Sequence, residues 1–336
     1  MRIENNYSLL KHNTFHLDVK AKYFVEYDSE QELRTLLSDE YFISEQFWHI
    51  GCGSNLLFLG DYNGIVVHSA IRGTEKIMED DNYMYIKVGA GENWDSFVNY
   101  CVENNFGGIE NLSMIPGEIG AAVVQNIGAY GTEVSESVYA VFAYNIETME
   151  KQKFTNSDCQ YSYRKSFFKR IRNRGKYYIT YVIFRLLKKP VLKLDYGNIR
   201  SFMWGKPLDI KTVRQTVIDI RRSKLPDLKK EGNAGSFFVN PYISKNHYEE
   251  LKKIYPEIPS FPVNDRAVKI PAAWLIESCG LKGKTFGGAA VSRRHPLIII
   301  NKKNATGSDI AALADEIRST VRNKFYIELT PEVNYI

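Results

Sequence analysis

The chain has 336 residues, 44% hydrophobic, 25% charged and 13% aromatic. That composition fits about two globular domains and excludes a disordered or low-complexity chain. A formal charge of +5 is too mild to favour nucleic acid over a small polyanionic ligand.

The polar start, MRIENNYSLLKHNTFHLD, has no signal-peptide core, and no apolar run is long enough for a membrane helix. A cytoplasmic protein is expected. The cysteines Cys52, Cys101, Cys159 and Cys279 form no CxxC pair, so free, mostly buried thiols and no metal site are expected.

In chain order the elements suggest an α+β protein. KYFVEY reads as a strand. SEQELRTLLSDEYF opens with Ser29 and Glu32 in a capping-box spacing and places Leu33, Leu36 and Leu37 on one helical face. FWHIGCGSN runs a strand into a glycine turn, and GIVVHSA is the next strand. Over residues 82–190 the pattern is mostly β, with strands YMYIKVGAG and YYITYVIFRLL and a helix at 94–105. Residues 209–222 read as a helix with Val213, Val217 and Ile220 on one face. HPLIIIN (295–301) reads as a buried strand. TGSDIAALADEIRSTVRNKF reads as a helix capped by Ser308, and YIELTPEVNYI as extended chain.

Two glycine-rich segments carry the first chemical signal: 51-GCGSN-55 and 115-IPGEIGAAVVQNIGAYG-131. Neither is a GxGxxG dinucleotide fingerprint or a GxxxxGK[ST] phosphate loop. Backbone N–H groups without side-chain bulk can wrap a pyrophosphate or lie flat on a ring system. GCGSN reads equally well as a structural turn. In 161-YSYRKSFFKRIRNRGKYY-178 seven basic residues fall between Arg164 and Lys176. The cluster at 169–176 is a solvated β-hairpin tip or a nucleic-acid surface. Arg164, among Tyr161, Tyr163 and Phe167, is instead partly buried and wants a carboxylate or phosphate. In 232-GNAGSFFVNP-241 a lone hydroxyl, Ser236, stands at the edge of an apolar run. Taken singly, Lys224, Lys282, Tyr196 and Glu332 are ordinary surface or turn residues.

The order IPGEIGAAVVQNIGAYG, YSYRKSFFK, LPDLKKEGNAGSFFVNP, WLIESCGLKG, TPEV resembles the UDP-N-acetylenolpyruvoylglucosamine reductases, flavoenzymes of peptidoglycan precursor synthesis. The resemblance runs from HNTF (12–15) to PEV (331–333). It implies noncovalent FAD, NADPH as reductant and a UDP-sugar substrate. The implied fold is a vanillyl-alcohol-oxidase-type FAD-binding fold: subdomains 1–68 and 69–208, a substrate domain 209–325, and a strand at 326–336 returning near the active site. A monomer with no nucleic-acid or membrane partner is expected.

By the same resemblance Gly51, Cys52, Gly53, Ser54 and Asn55 hold the cofactor, together with Pro116, Gly117, Gly120, Ala121, Ala122, Gln125, Asn126, Gly128, Ala129, Tyr130 and Gly131. Hydride goes to the vinyl methylene carbon, and Ser236 gives a proton to the adjacent carbon from a close, dry position. Arg164 holds the substrate carboxylate and Glu332 completes the catalytic set. Tyr163, Arg221, Lys224, Asn240 and Lys282 contact substrate. Tyr196 in LDYGNI marks the subclass with a mobile tyrosine loop over the diphosphate end. Ala121 and Ala122 stand where members often carry small hydroxyl residues, so diphosphate contacts there fall to backbone N–H groups.

Overall fold

The computed structural model describes residues 1–40 and 44–336. Contacts divide the chain into two units: Met1–Tyr7, Ala21–Cys52 and Tyr62–Ser223 in the first, and Ser8–Lys20, Gly53–Asp61 and Lys224–Ile336 in the second. This differs from the expected boundaries. Most of 1–68 groups with 69–208, but Ser8–Lys20 and Gly53–Asp61 group with the C-terminal part, and the helix Ile210–Lys224 falls in the first unit up to Ser223, where Val213, Val217 and Ile220 pack with Leu194, Ile199 and Met203.

The first unit contains two sheets. One is ordered Arg2–Ser8, Lys20–Tyr27, Tyr62–Ser69, Phe47–Ile50, with the last two strands each paired in parallel within it. Ile65, Val66 and Val67 are fully buried, which explains a near-continuous apolar run where an exposed strand would alternate. The helix Glu30–Leu37 packs Leu33, Leu36 and Leu37 on this sheet. Ser29 caps it by accepting from the Glu32 N–H, but the reciprocal half of the expected box is not made: the Glu32 carboxylate accepts from the Asp28 N–H at 3.0 Å. The expected tail of this helix at Tyr41 and Phe42 lies outside the described residues.

The second sheet is antiparallel, ordered Glu150–Thr155, Val138–Asn145, Tyr177–Leu187, Tyr83–Gly89, Thr74–Glu79. Strands 150–155 and 177–187 both pair with 138–145 and not with each other. The basic run between them is therefore a series of turns and not a hairpin tip. The helix Trp94–Glu103 starts at Asn93, whose side chain accepts from the Ser96 N–H, and buries Trp94, Phe97, Val98, Cys101 and Val102.

The second unit is built around the helix Gly307–Phe325, which buries Ile310, Leu313, Ala314, Ile317 and Val321. Its cap is Thr306, reciprocated by Asp309 in a capping box, and not Ser308. The expected strand 295–301 shrinks to Ile299–Asn301: His295 N–H turns back to the Ser292 hydroxyl and Ile298 N–H to the His295 carbonyl. The chain end pairs Asn334–Tyr335 in parallel with Leu56–Leu57. Among the described residues no helix is long and apolar enough to cross a membrane, and no group of acidic, histidine or cysteine side chains could hold a metal. The four cysteines form no disulfide with one another, and Cys101 and Cys159 are buried while Cys52 and Cys279 are half-buried.

Candidate active site

In the second unit the backbone brings two of the singled-out residues together. Residues 237–239 run against 330–332: Val239 N–H donates to the Thr330 carbonyl, Glu332 N–H to the Phe237 carbonyl at 2.8 Å, and Phe238 bridges Pro331. Asn55 Nδ2 donates to the Glu332 carbonyl at 3.1 Å and Asn334 N–H to the Asn55 carbonyl at 3.0 Å. Ser236, Glu332 and Asn55, far apart in sequence, thus sit on three stitched segments. Phe237 and Phe238 are buried and anchor the ladder, each side chain contributing roughly 2–3 kcal/mol. Ser236 itself is exposed, contrary to the expected dry position. The reason is local: Gly235 has φ +70, and the chain turns there so that the two rings point into the core and the hydroxyl does not.

Gly53, φ +70, rests against the backbone of His12 and Asn13, where any Cβ would collide, and its carbonyl accepts from the Thr14 N–H. This accounts for the pairing of GCGSN with the HNTF stretch. Asn240 Oδ1 is occupied by the Ala272 N–H at 2.9 Å, at the start of the helix Ala272–Ser278. Lys224 and Lys282 are exposed; Lys282 pairs with Glu277 at 3.0 Å. Between them electrostatically lies His295, which the sequence reading passed over. Burial first, then Lys224 and Lys282, lower its pKa, with Glu277 opposing, so it is neutral near pH 7. Two lysines and a histidine in one place suit a diphosphate.

In the first unit the long glycine segment is less open than expected. Residues Ile119–Gln125 form a short helix, and the N–H groups of Ile119 and Gly120 are taken by the Glu92 and Ala90 carbonyls. Gly117, Gly120 and Ala122 are buried, and Ala122 belongs to the core. Asn126 is fully buried at φ +48. Its Nδ2 donates to Glu133 Oε2 at 2.8 Å and to the Ser162 carbonyl at 2.9 Å, and its Oδ1 accepts from the Ser135 N–H. These four residues shape the segment from within. Gly51, Cys52, Ser54, Ala121, Gln125 and Ala129 are partly accessible, and Pro116 and Gly131 are exposed.

Arg164 lies in a tight turn closed by reciprocal Ser162–Lys165 backbone bonds, at φ +56, a region non-glycine residues seldom enter. Its guanidinium donates to the Gly128 carbonyl at 2.7 Å and sits 5.1 Å from the Tyr163 ring centroid. A Cβ on Gly128 would lie 3.0 Å from both Arg164 Nη1 and the Thr132 carbonyl oxygen, so one of them would have to give way. Tyr196 is half-exposed, and its Cβ lies against Gly131; Gly197 lies against the Tyr130 ring. The tyrosine turn and the end of the glycine segment are therefore neighbours. In the basic run Arg174 stacks on Trp48 at 5.0 Å and Lys176 pairs with Glu147, leaving Arg170 and Arg172 exposed.

Two charged arrangements escaped the sequence reading, around Asp95 and around His68, and a third surrounds Arg221, which it had placed at the substrate. Asp95 holds Arg214 in two bonds of 2.6 and 3.1 Å and accepts from the Met114 N–H, fixing the entry to the glycine segment. Burial raises the Asp95 pKa, but Arg214 and the Met114 N–H outweigh it and the net direction is down. Arg221, beside Tyr130 and Asp95, has a buried Nε without a hydrogen-bond partner. A buried guanidinium N–H in that state wants an acceptor oxygen from a bound molecule, which fits a phosphate- or carbonyl-bearing cofactor or nucleotide. His68 lies between Glu26 and Glu118. An open groove of about 530 Å³ lined by Tyr139, Lys153, Asn156 and Arg185 includes none of the singled-out residues.

A family model described as UDP-N-acetylenolpyruvoylglucosamine reductase, C-terminal domain, matches residues 227–336, and one described as FAD binding domain matches residues 21–144. The chain is 47% identical over 335 residues to the UDP-N-acetylenolpyruvoylglucosamine reductase of Bacteroides fragilis, covering 99% of this chain and 100% of that one. It is 45% identical over 338 residues to the reductase of Porphyromonas gingivalis, covering 100% of both. The crystal structure of the Thermus caldophilus reductase shares the fold at a TM-score of 0.69 and 21% identity, covering 100% of this chain and 99% of that one. Matched end to end by such relatives, with an FAD-binding domain followed by the reductases' own C-terminal domain, the chain belongs to the UDP-N-acetylenolpyruvoylglucosamine reductase family.

Proposed function

We propose that the chain reduces the enolpyruvyl group of UDP-N-acetylglucosamine enolpyruvate to UDP-N-acetylmuramate, with NADPH as reductant. Full-length similarity to reductases of that name carries this reading. FAD, when bound, supplies the chemistry of accepting hydride from NADPH and delivering it to the substrate double bond. Residues 51–55 and the accessible part of 116–131 hold it.

The chain's own residues then manage charge and protons. As hydride reaches the methylene carbon, negative charge grows on the neighbouring carbon and its carboxylate. Ser236 gives that carbon its proton. An alcohol is a weak acid, so the charge must be stabilised as it forms. Arg164, pinned to the Gly128 carbonyl, holds the carboxylate. Glu332, with both its N–H and its carbonyl engaged in the ladder, has a fixed Cα from which its carboxyl holds a proton toward a carboxylate oxygen. Because Ser236 is exposed, the substrate itself must exclude water there; after turnover the same exposure lets solvent restore the proton. Lys224, Lys282 and neutral His295 take the diphosphate, with the Asn240 amide, Tyr163, Tyr196 and Arg221 completing the contacts.

The reaction takes place in the cytoplasm on a monomer, with neither nucleic acid nor membrane involved; a diffusible UDP-sugar requires no more. Anaerobic stopped-flow tests the proposal. NADPH is expected to bleach the bound flavin, and the enolpyruvyl sugar nucleotide to restore its colour with formation of UDP-N-acetylmuramate. Reduced flavin left unchanged by that nucleotide contradicts it.

A further inference from the structure

We propose that His68 is a positioning residue for the cofactor: held as an imidazolium between Glu26 and Glu118, it fixes the start of the 116–131 segment against Gly51 and makes FAD affinity depend on pH. This rests on the reading that residues 51–55 and 116–131 hold FAD.

The geometry demands an extra proton. His68 Nδ1 lies 2.8 Å from Glu26 Oε2, and Nε2 lies 3.1 and 3.2 Å from the two oxygens of Glu118. The His68 side chain is only 6% exposed. Ionised carboxylates only accept, and a neutral imidazole has one N–H, so a neutral ring would turn a lone pair on one of the two carboxylates. An imidazolium donates to both, in charge-assisted bonds.

The placement gives the clasp its reach. Glu26 belongs to the strand Lys20–Tyr27 and His68 to Tyr62–Ser69. Glu118 opens the helix Ile119–Gln125, and its Oε2 lies 3.1 Å from where a Cβ on Gly51 would stand. One ring therefore joins the sheet to the start of the 116–131 segment, beside Gly51. Other groups pack around the clasp. Arg2 Nη1 lies 3.7 Å from Glu26 and balances one carboxylate. The Phe24 ring stacks on His68 at 6.3 Å. The Tyr27 hydroxyl bonds His49 at 2.9 Å, and His49 is kept neutral, its pKa lowered to about 3 by burial and then by His68. For His68 burial works against the charge, but the bonds and charges of Glu118, then Glu26, outweigh it and the pKa is raised.

The sign follows. A raised folded-state pKa means the clasp's stabilisation is complete below the unfolded imidazole value of about 6.5 and is lost as pH rises through the folded value. Once His68 is neutral, one of the two carboxylates faces a lone pair, and the segment meant for an anionic cofactor loses the positive charge beside it.

The experiment measures FAD dissociation constants by flavin fluorescence, and melting temperatures of the apoprotein, from pH 6.5 to 9. Wild type is expected to lose about tenfold in FAD affinity across that range, the scale of one charge-assisted bond. His68→Ala is expected to be weak at every pH. Glu118→Gln is the decisive variant, because its amide donates to Nε2 of a neutral ring. It should bind FAD within about threefold of wild type at pH 6.5 and show no decline by pH 9. A Glu118→Gln profile that declines like wild type overturns the clasp. A variant whose melting profile flattens while FAD affinity keeps the wild-type pH dependence overturns the positioning role. Ala121→Glu, which puts a carboxylate in the segment itself, tests the underlying reading separately: unchanged FAD affinity there overturns that reading and the inference with it.

Discussion

Ser236 and Glu332 are placed by main chain and core rings, whereas the glycine segment 116–131 adds buried polar side chains to its main-chain bonds. In the first region a backbone ladder and two buried phenylalanines do the positioning, and the Ser236 side chain contributes nothing to it. In the second, main-chain bonds to Ala90 and Glu92 are supplemented by Asn126 from within and by Asp95 with Arg214 and His68 with its carboxylates from outside. Reactive groups hung on a backbone ladder can be removed without disturbing the fold. A segment held by buried polar side chains cannot lose one cheaply.

That contrast sets the order of effects. Ser236→Ala is expected to lower turnover by about 10³-fold, the scale of a general acid, with no change in melting temperature. A large drop in melting temperature would show that the hydroxyl has a structural role and blur the contrast. Arg164→Ala is expected to cost about 10²–10³-fold in turnover with the carboxylated substrate while sparing flavin reduction by NADPH. Because Arg164 also ties down the Gly128 carbonyl, a modest loss of stability should accompany it, placing this residue between the two regions in kind. Asn126→Ala should leave chemistry to any folded fraction but destabilise the protein by about 3 kcal/mol in urea titration, since it strips three buried bonds and leaves alanine at a positive φ. A cost under about 1 kcal/mol would mean the segment is self-supporting.

The ladder's ingredients were legible in the sequence, and its assembly was not. GNAGSFF announces a hydroxyl beside two core rings, and TPEV a carboxylate near the end, but no local pattern shows that Glu332 N–H meets the Phe237 carbonyl. The exposure of Ser236 was misjudged because apolar neighbours suggest burial, whereas the glycine before it turns the hydroxyl outward. The helix at 119–125 was hidden by glycines and alanines that read as loop; its N–H groups are satisfied by the distant Ala90 and Glu92. His68 pairs with residues 42 and 50 positions away. Two signals could have found it: a histidine directly after the apolar run Ile65, Val66 and Val67, and Glu118, the single acidic residue of 115–131. A buried ionisable group in each of two segments is a reason to pair them.

The most direct test of the proton-donor assignment follows the two half-reactions of Ser236→Ala separately by flavin absorbance. The account predicts that NADPH bleaches the variant at the wild-type rate and that the enolpyruvyl sugar nucleotide then binds but fails to restore the colour. Reoxidation at the wild-type rate, with carbon-bound deuterium incorporated from heavy water as in the unmodified protein, would contradict it.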